Sequence, residues 1–213
     1  LCSFCPEAIV VDNAVNIPVF DISHASFVIR NTYPHYPPGS IHIICVHTEG
    51  NKEKKRLVVR AKGHYFIGTD NGIFNLILNQ EPDEIVSIGE DDDNDEIDLF
   101  ARAAAMLANG KSLKEIGKHV KNLNEQIPLR ATIEKDVISG SIIFIDSYEN
   151  AISNITHDIF YRVFTDKKFR IYIQSNRYYT SRISKRYNEE PMSELVARFN
   201  ILDLLEVSIN GAN

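Results

Sequence analysis

Two stretches of the sequence hold residue types at spacings that could do chemistry. Cys2 and Cys5 stand in a C-x-x-C pair. A tetrahedral zinc site needs a second ligand pair, and none follows at a suitable distance. The pair therefore reads as two small residues near a helix end. Glu90, Asp91, Asp92, Asp93, Asp95 and Glu96, with Asp98 just after, form an acid run. Such a run can hold Mg²⁺ or Ca²⁺, but this one lacks the glycine and the terminal Glu spacing of an EF-hand loop. It reads as a solvated loop that repels itself and supplies acids to the start of the next helix. No metal site is expected. With Cys45 the cysteines number three, an odd count that suggests free thiols.

The elements that must position any site alternate in the first half. Pro18 to Ile22 reads as a strand end and Ser26 to Tyr33 as a short helix. Ser40 to Val46 is a nearly continuous β-branched run, as for a strand buried on both faces. Arg56 to Arg60 and His64 to Gly68 read as strands joined by a turn at Lys62-Gly63. Asn71-Gly72 is a second turn signal, and Ile73 to Asn79 follows with a helical pattern. Ile85 to Ile88 reads as a strand, Ile97 to Asn109 as a helix ending at Gly110, and Leu113 to Val120 as another helix. This alternation predicts an α/β/α sandwich with a mostly parallel sheet over residues 1–121. The polar stretch Asn122 to Pro128 reads as a linker. From Ile133 onward the apolar runs are short and strand-like: Val137 to Ile145, Ile159 to Val163, Phe169 to Ile173, Ala197 to Asn200 and Leu204 to Ile209. They predict an all-β, barrel-like domain over 128–213.

Composition narrows the function classes. The chain has 213 residues, 44% of them hydrophobic, enough for a packed core. Its net charge of −6 argues against a general nucleic-acid binder, which needs clustered Lys and Arg. No apolar run approaches the length that spans a bilayer. The first residues carry no basic-then-apolar leader. A cytoplasmic protein, with no membrane partner, is the expectation.

Seven segments, in order, resemble one family. Asp21-Ile22-Ser23-His24 is similar to its D-I-S-H segment. Tyr36-Pro37-Pro38-Gly39-Ser40-Ile41-His42-Ile43 resembles F-P-P-G-T-V-H-V, and Gly63 to Gly72 (GHYFIGTDNG) resembles G-x-Y-F-V-G-P-D-N-G. Phe100 to Ala105, Ile145 to Ile155, and Leu205 to Asn210 are similar to F-A-P-A-A-A, I-D-x-F-G-N-L-x-T-N-I and L-E-I-A-V-N. Ala25 to Arg30 resembles the helix after D-I-S-H. On these residues the chain resembles the S-adenosyl-L-methionine hydroxide adenosyltransferases. The resemblance implies an N-terminal α/β domain and a C-terminal β domain, and a homotrimer with sites between the N-terminal domain of one subunit and the C-terminal domain of the next. It implies that water, activated as hydroxide, displaces methionine from the ribose 5′ carbon and leaves adenosine. S-adenosylmethionine would be substrate, with no cofactor. It also implies a first strand with a T-x-D-F-G segment ahead of Leu1 and a loop after His24. Neither stands in the sequence, and residues omitted from mobile loops are the expected reason.

The water-activating residues of that family, an Asp, an Arg and a His, align here with His47, Lys54 and Asp95. Water is a weak nucleophile and needs a proton acceptor. One reading is an exchange: His47 as base, Asp95 orienting it, Lys54 supplying positive charge. The other is loss of catalysis with binding retained. The resemblance places Asp146 at the methionine amino group and Asn150 at the adenine edge, with Tyr148 stacking on a base. Asp70 and Asn71, in the G-H-Y-F-I-G-T-D-N-G segment, join them as substrate-binding candidates. Ile201 stands where a hydroxyl for the methionine carboxylate is usual. Glu96 stands at the hydroxyl of a halide site, where a carboxylate repels an anion, which disfavours a halogenase.

Overall fold

The structure, a computed structural model, describes residues 4–49, 54–89, 95–165 and 167–211. Two compact units divide the chain, Leu1–Ile127 and Pro128–Asn213. In the first unit the elements are α1 (Ile22–Thr32), β1 (Ile41–Ile43), β2 (Arg56–Ala61), β3 (His64–Thr69), α2 (Ile73–Leu78), β4 (Glu84–Ser87), α3 (Glu96–Ala108), α4 (Leu113–Ile116) and β5 (Lys118–His119). The sheet runs in the order β1-β3-β2-β4-β5.

The expected mostly parallel sheet is corrected. Only β1 and β3 pair in parallel among the described strands; β2 pairs antiparallel with both β3 and β4, and β4 with β5. The cause is local. Lys62 and Gly63 both take left-handed φ, 50° and 78°, as a two-residue hairpin turn requires. So short a turn can only return the chain antiparallel.

Strand alternation divides the sheet's apolar residues between two faces. Leu57, Val59 and Ala61 face α1 and α2, packing with Phe66, Ile73, Phe74 and Ile77. Val58, Ile67 and Val86 face α3 and α4, packing with Phe100, Ala103, Ala104 and Leu107. Each large side chain taken fully from water contributes about 1.5–3 kcal/mol, which fixes the register of the central strands.

Two helical boundaries differ from expectation. The Leu113 to Val120 segment is helical only to Ile116. A Cβ on Gly117 would lie 2.1 Å from the Ser87 carbonyl oxygen, so glycine lets the chain close on β4 and form β5 there. The long strand expected over Ser40 to Val46 is three residues, followed by Ile44, whose N–H donates to Ile67 O at 2.8 Å.

The second unit holds β6 (Thr132–Glu134), β7 (Val137–Ser139), β8 (Ile142–Ile145), β9 (Ala151–Thr156), α5 (His157–Phe164), β10 (Ile171–Ile173), β11 (Ser175–Thr180), β12 (Leu195–Phe199) and β13 (Leu204–Ile209). Its main sheet is antiparallel, in the order β12-β13-β9-β8, with two separate hairpins. The expected barrel is corrected: the described strands do not close. One reason is that Ile159 to Val163, read as a strand, lies in α5. Thr156 caps this helix, its hydroxyl accepting from Ile159 N–H at 3.2 Å. Phe160 and Phe164 then fall four apart on one helical face.

Candidate active site at the carboxyl edge of the sheet

β1, β3 and β4 run in one direction, because β3 and β4 both oppose β2. Their carboxyl ends therefore open on one edge, where α/β folds place ligands. The start of β2 meets them there. Asp70 N–H donates to Lys55 O at 2.8 Å, and Ile88 N–H to Arg56 O at 2.9 Å. His47, Lys54, Asp70, Asn71 and Asp95 all lie in the segments around this edge.

His47 follows β1 in a left-handed kink, φ 51°. Asn71 holds that kink. Its amide nitrogen donates to Val46 O at 3.2 Å and His47 O at 3.0 Å. Its amide oxygen accepts from Ile73 N–H at 3.2 Å, at the start of α2. The Thr69 hydroxyl donates to Thr48 O. The His47 ring meets Phe20 edge-on, centroids 5.2 Å apart. It makes no hydrogen bond among the described residues, so its nitrogens remain open to a ligand.

Asp70 is buried at 5% exposure. Its two carboxylate oxygens accept from Asn124 N–H at 2.9 and 3.1 Å, while Asn124 Nδ2 donates to Asp70 O at 2.6 Å. Burial pushes this carboxyl above the usual aspartate range, against those donors. The segment read as a linker is thus tied to the first unit at Asn124.

Asp95 has another task. It is the N-cap of α3, its carboxylate accepting from Ile97 N–H at 2.9 Å. No hydrogen bond or ion pair joins it to His47 among the described residues. Glu96, one residue on, meets Arg56 at 3.0 Å, and Arg56 also donates to Gly89 O at 3.2 Å. Arg56 Nε is buried with no partner among the described residues. This arginine went unmarked in the sequence, where it merely opens an apolar strand. Asp98 pairs with Arg102 at 2.7 Å. The rest of the acid run, from Glu90 to Asn94, and Cys2 lie outside the described residues. Cys5 and Cys45 are free thiols. No group of three or more metal-ligating side chains occurs among the described residues.

In the second unit Asp146, Tyr148 and Asn150 share one turn between β8 and β9. Asp146 Oδ1 accepts from Tyr148 N–H and Asn150 N–H, each at 2.9 Å, and Oδ2 accepts from Asn150 Nδ2 at 2.9 Å. This is an Asx-type turn, and Glu149 sits in it at φ 61°. Asn150 is 9% exposed, whereas Tyr148 is 85% exposed and open to stack on a ligand. Ile201 is 97% exposed, at the tip of a turn held by Asn200, whose side-chain oxygen accepts from Leu202 N–H and Leu204 N–H.

The fold and edge define a two-unit protein, one α/β unit with a polar strand-end site and one β-rich unit. Comparison with known proteins gives the family. Residues 1–117 match the N-terminal domain of the SAM hydroxide adenosyltransferases and residues 140–213 match their C-terminal domain, so the chain belongs to that family. It is similar to the (R)-S-adenosyl-L-methionine hydrolase of Methanocaldococcus jannaschii, at 26% identity over 154 residues, 71% of this chain. The match spans 56% of that protein, little more than half its length. The fold is similar to an uncharacterized conserved protein from Thermotoga maritima, TM-score 0.83 at 21% identity, covering 98% of this chain and 84% of that one. It is also similar to a conserved hypothetical protein from Thermus thermophilus, TM-score 0.68 at 22% identity, covering 98% and 81%. No helix among the described residues is long and apolar enough to cross a membrane.

Proposed function

We propose that this protein hydrolyses S-adenosyl-L-methionine to adenosine and L-methionine, acting as a cytoplasmic homotrimer. The observation that carries the reading is His47, a titratable ring with no hydrogen-bond partner among the described residues, held at the carboxyl edge by Asn71 in a chain that matches both family domains. Water attacks the ribose 5′ carbon, forming the C–O bond as the C–S bond breaks. The sulfonium leaves as the neutral thioether of methionine, taking the bonding pair, and His47 accepts the water proton. Lys54 supplies positive charge for the developing hydroxide. Tyr148 offers an exposed ring to the purine. Asp70, Asn71, Asp146 and Asn150 act mainly by shaping the backbone around the ligand. No metal or cofactor enters this scheme.

A second reading, binding of S-adenosylmethionine or adenosine without turnover, is favoured by one observation. Asp95, the expected partner of His47, is spent as a helix cap. Chromatography of reactions with both sulfonium epimers decides between them. Adenosine release that falls by about 100-fold or more in His47→Ala supports the hydrolase. No adenosine from the wild type, with calorimetric binding of either nucleoside, establishes the second reading.

A further inference from the structure

The core of the second unit is incomplete. Its fully buried apolar cluster is small, centred on Ala197, Leu205 and Val207. Beside it lies an open cavity of about 1240 Å³, bounded by β7, β8, β9, α5, β10 and β13. It exceeds the roughly 300–1,000 Å³ of ordinary small-molecule sites.

The lining is asymmetric. Ile142, Ile155, Phe164, Ile171 and Leu205 supply aliphatic and aromatic walls, while Lys167, Lys168 and Arg170, close in sequence, add positive charge to the lining. Asp136 is the only carboxylate among the described lining residues, and Lys167 holds it at 2.7 Å. Lys168 makes no ion pair among the described residues. Arg170 lies over the Tyr179 ring, 5.2 Å from its centroid, which holds its guanidinium in place. Lys168 and Arg170 thus have no carboxylate partner among the described residues, in a chain whose total charge is −6. Phe160 is enclosed by Tyr161, Phe164, Phe169 and Phe199, at centroid distances of 5.0–5.5 Å. A flexible alkyl chain can follow the aliphatic walls.

We propose that this cavity binds a single-chain amphiphilic anion, a medium- or long-chain carboxylate, with its alkyl chain along the Ile142–Ile155–Leu205 wall and its head group at Lys168 and Arg170. The described lining belongs to the second unit alone, and the proposal does not depend on the hydrolase reading. Burial of the chain supplies affinity, and the two cations select the sign of the head group. Occupancy completes the core, so the ligand stabilises the unit by mass action.

Calorimetric titration of the full chain tests this, with monomeric dodecanoate against dodecyltrimethylammonium and against phosphatidylglycerol vesicles. Saturable one-to-one binding of dodecanoate in the micromolar range, at least about tenfold tighter than the cationic soap, with a rise in melting temperature, is the expected result. Lys168→Glu with Arg170→Glu reverses the preference for charge. Ile142→Trp, at a half-exposed wall position, obstructs the path of the alkyl chain and weakens dodecanoate binding at least about tenfold while the ligand-free melting temperature holds. Absence of saturation below about 1 mM, equal binding of both soaps, or adhesion to vesicles without binding of the monomer overturns the proposal.

Discussion

Acid should loosen the first unit through one histidine pair. His42, on β1, and His64, at the start of β3, bring Nε2 and Nδ1 to 3.3 Å. Tyr33 meets both rings edge-on, Tyr36 meets His42, and Phe66 stacks on His42 at 5.1 Å. One imidazole must donate and the other accept, so the accepting ring is neutral. Burial, and then the neighbouring His64, lower the His42 pKa from 6.5 to about 4; burial also lowers His64. The unfolded chain then binds more protons than the folded one below pH 6.5. Stability is complete above the unfolded value and is lost as pH falls toward the folded one. At about 1.36 kcal/mol per unit the ceiling is about 3 kcal/mol, of which about 2 is lost between about pH 7.5 and about pH 5. Asp70, whose pKa is raised, has the opposite sign: its contribution is present below its unfolded pKa and is lost as pH rises. Native-state hydrogen exchange at the Val58 and Ile67 amides reads the first unit without the second. In His42→Phe the stacking is kept and the titration removed. The variant starts lower by about 1–2 kcal/mol, since His64 loses its partner, but its fall with acid is much shallower. Equal slopes in wild type and variant would refute the assignment, because Asp70 titrates in both.

Four further outcomes follow from the hydrogen bonds. Asn71→Ala frees the His47 kink; exchange at the His47 and Thr48 amides quickens, and stability falls by about 1–2 kcal/mol in a urea melt. Asp95→Ala costs about 1 kcal/mol by thermal melting through the lost α3 cap and leaves any adenosine release within a few-fold of wild type. A drop of about 100-fold would return Asp95 to the chemistry. Asp146→Ala removes three acceptor contacts and lowers the stability of the second unit by about 2–3 kcal/mol, read by exchange at β8 and β9 amides. Glu96→Gln weakens the half-buried pair with Arg56 by about 1 kcal/mol in denaturant melts, and the difference from wild type shrinks in high salt.

What the sequence made legible was local. The apolar spacing of Phe100, Ala103 and Leu107 marks α3 because it follows one burial face, and the run from Leu204 to Ile209 marks β13, where Leu205 to Ser208 are all buried. Strand direction was a different matter. The Lys62-Gly63 turn was readable, but its antiparallel consequence was outweighed by the alternation of elements, which resembles a parallel fold. α5 was missed because Ile159, Phe160, Val163 and Phe164 form an apolar cluster that fits either period over so few residues. The decisive signal was the Thr156 cap. Among the candidate site residues, His47, Asp70 and Asn71 lie by the carboxyl edge of the sheet. The order of motifs could not show that Asp95 caps a helix, although an Asp immediately before an Asp/Glu-rich first turn is the usual mark of one. Arg56 carried no signal, since its importance comes only from where β2 meets the carbonyl of Gly89.

The hydrogen bonds also rank the candidates by what they have left to give. A general base needs an uncommitted lone pair near the reacting water. Asp70 gives its oxygens to Asn124, Asn71 gives its amide to the 46–47 carbonyls, Asp95 gives its carboxylate to Ile97, and Asp146 is enclosed by its own turn. Each has become a backbone anchor, and for each the cost of removal is chiefly structural. His47 differs. Its backbone is fixed by Asn71 and its ring is placed by Phe20, yet its imidazole nitrogens make no hydrogen bond among the described residues. A side chain so held and so unspent can take a proton without breaking a contact. If hydroxide forms at this edge, the proton goes to His47, and the His47→Ala variant loses turnover while keeping its fold.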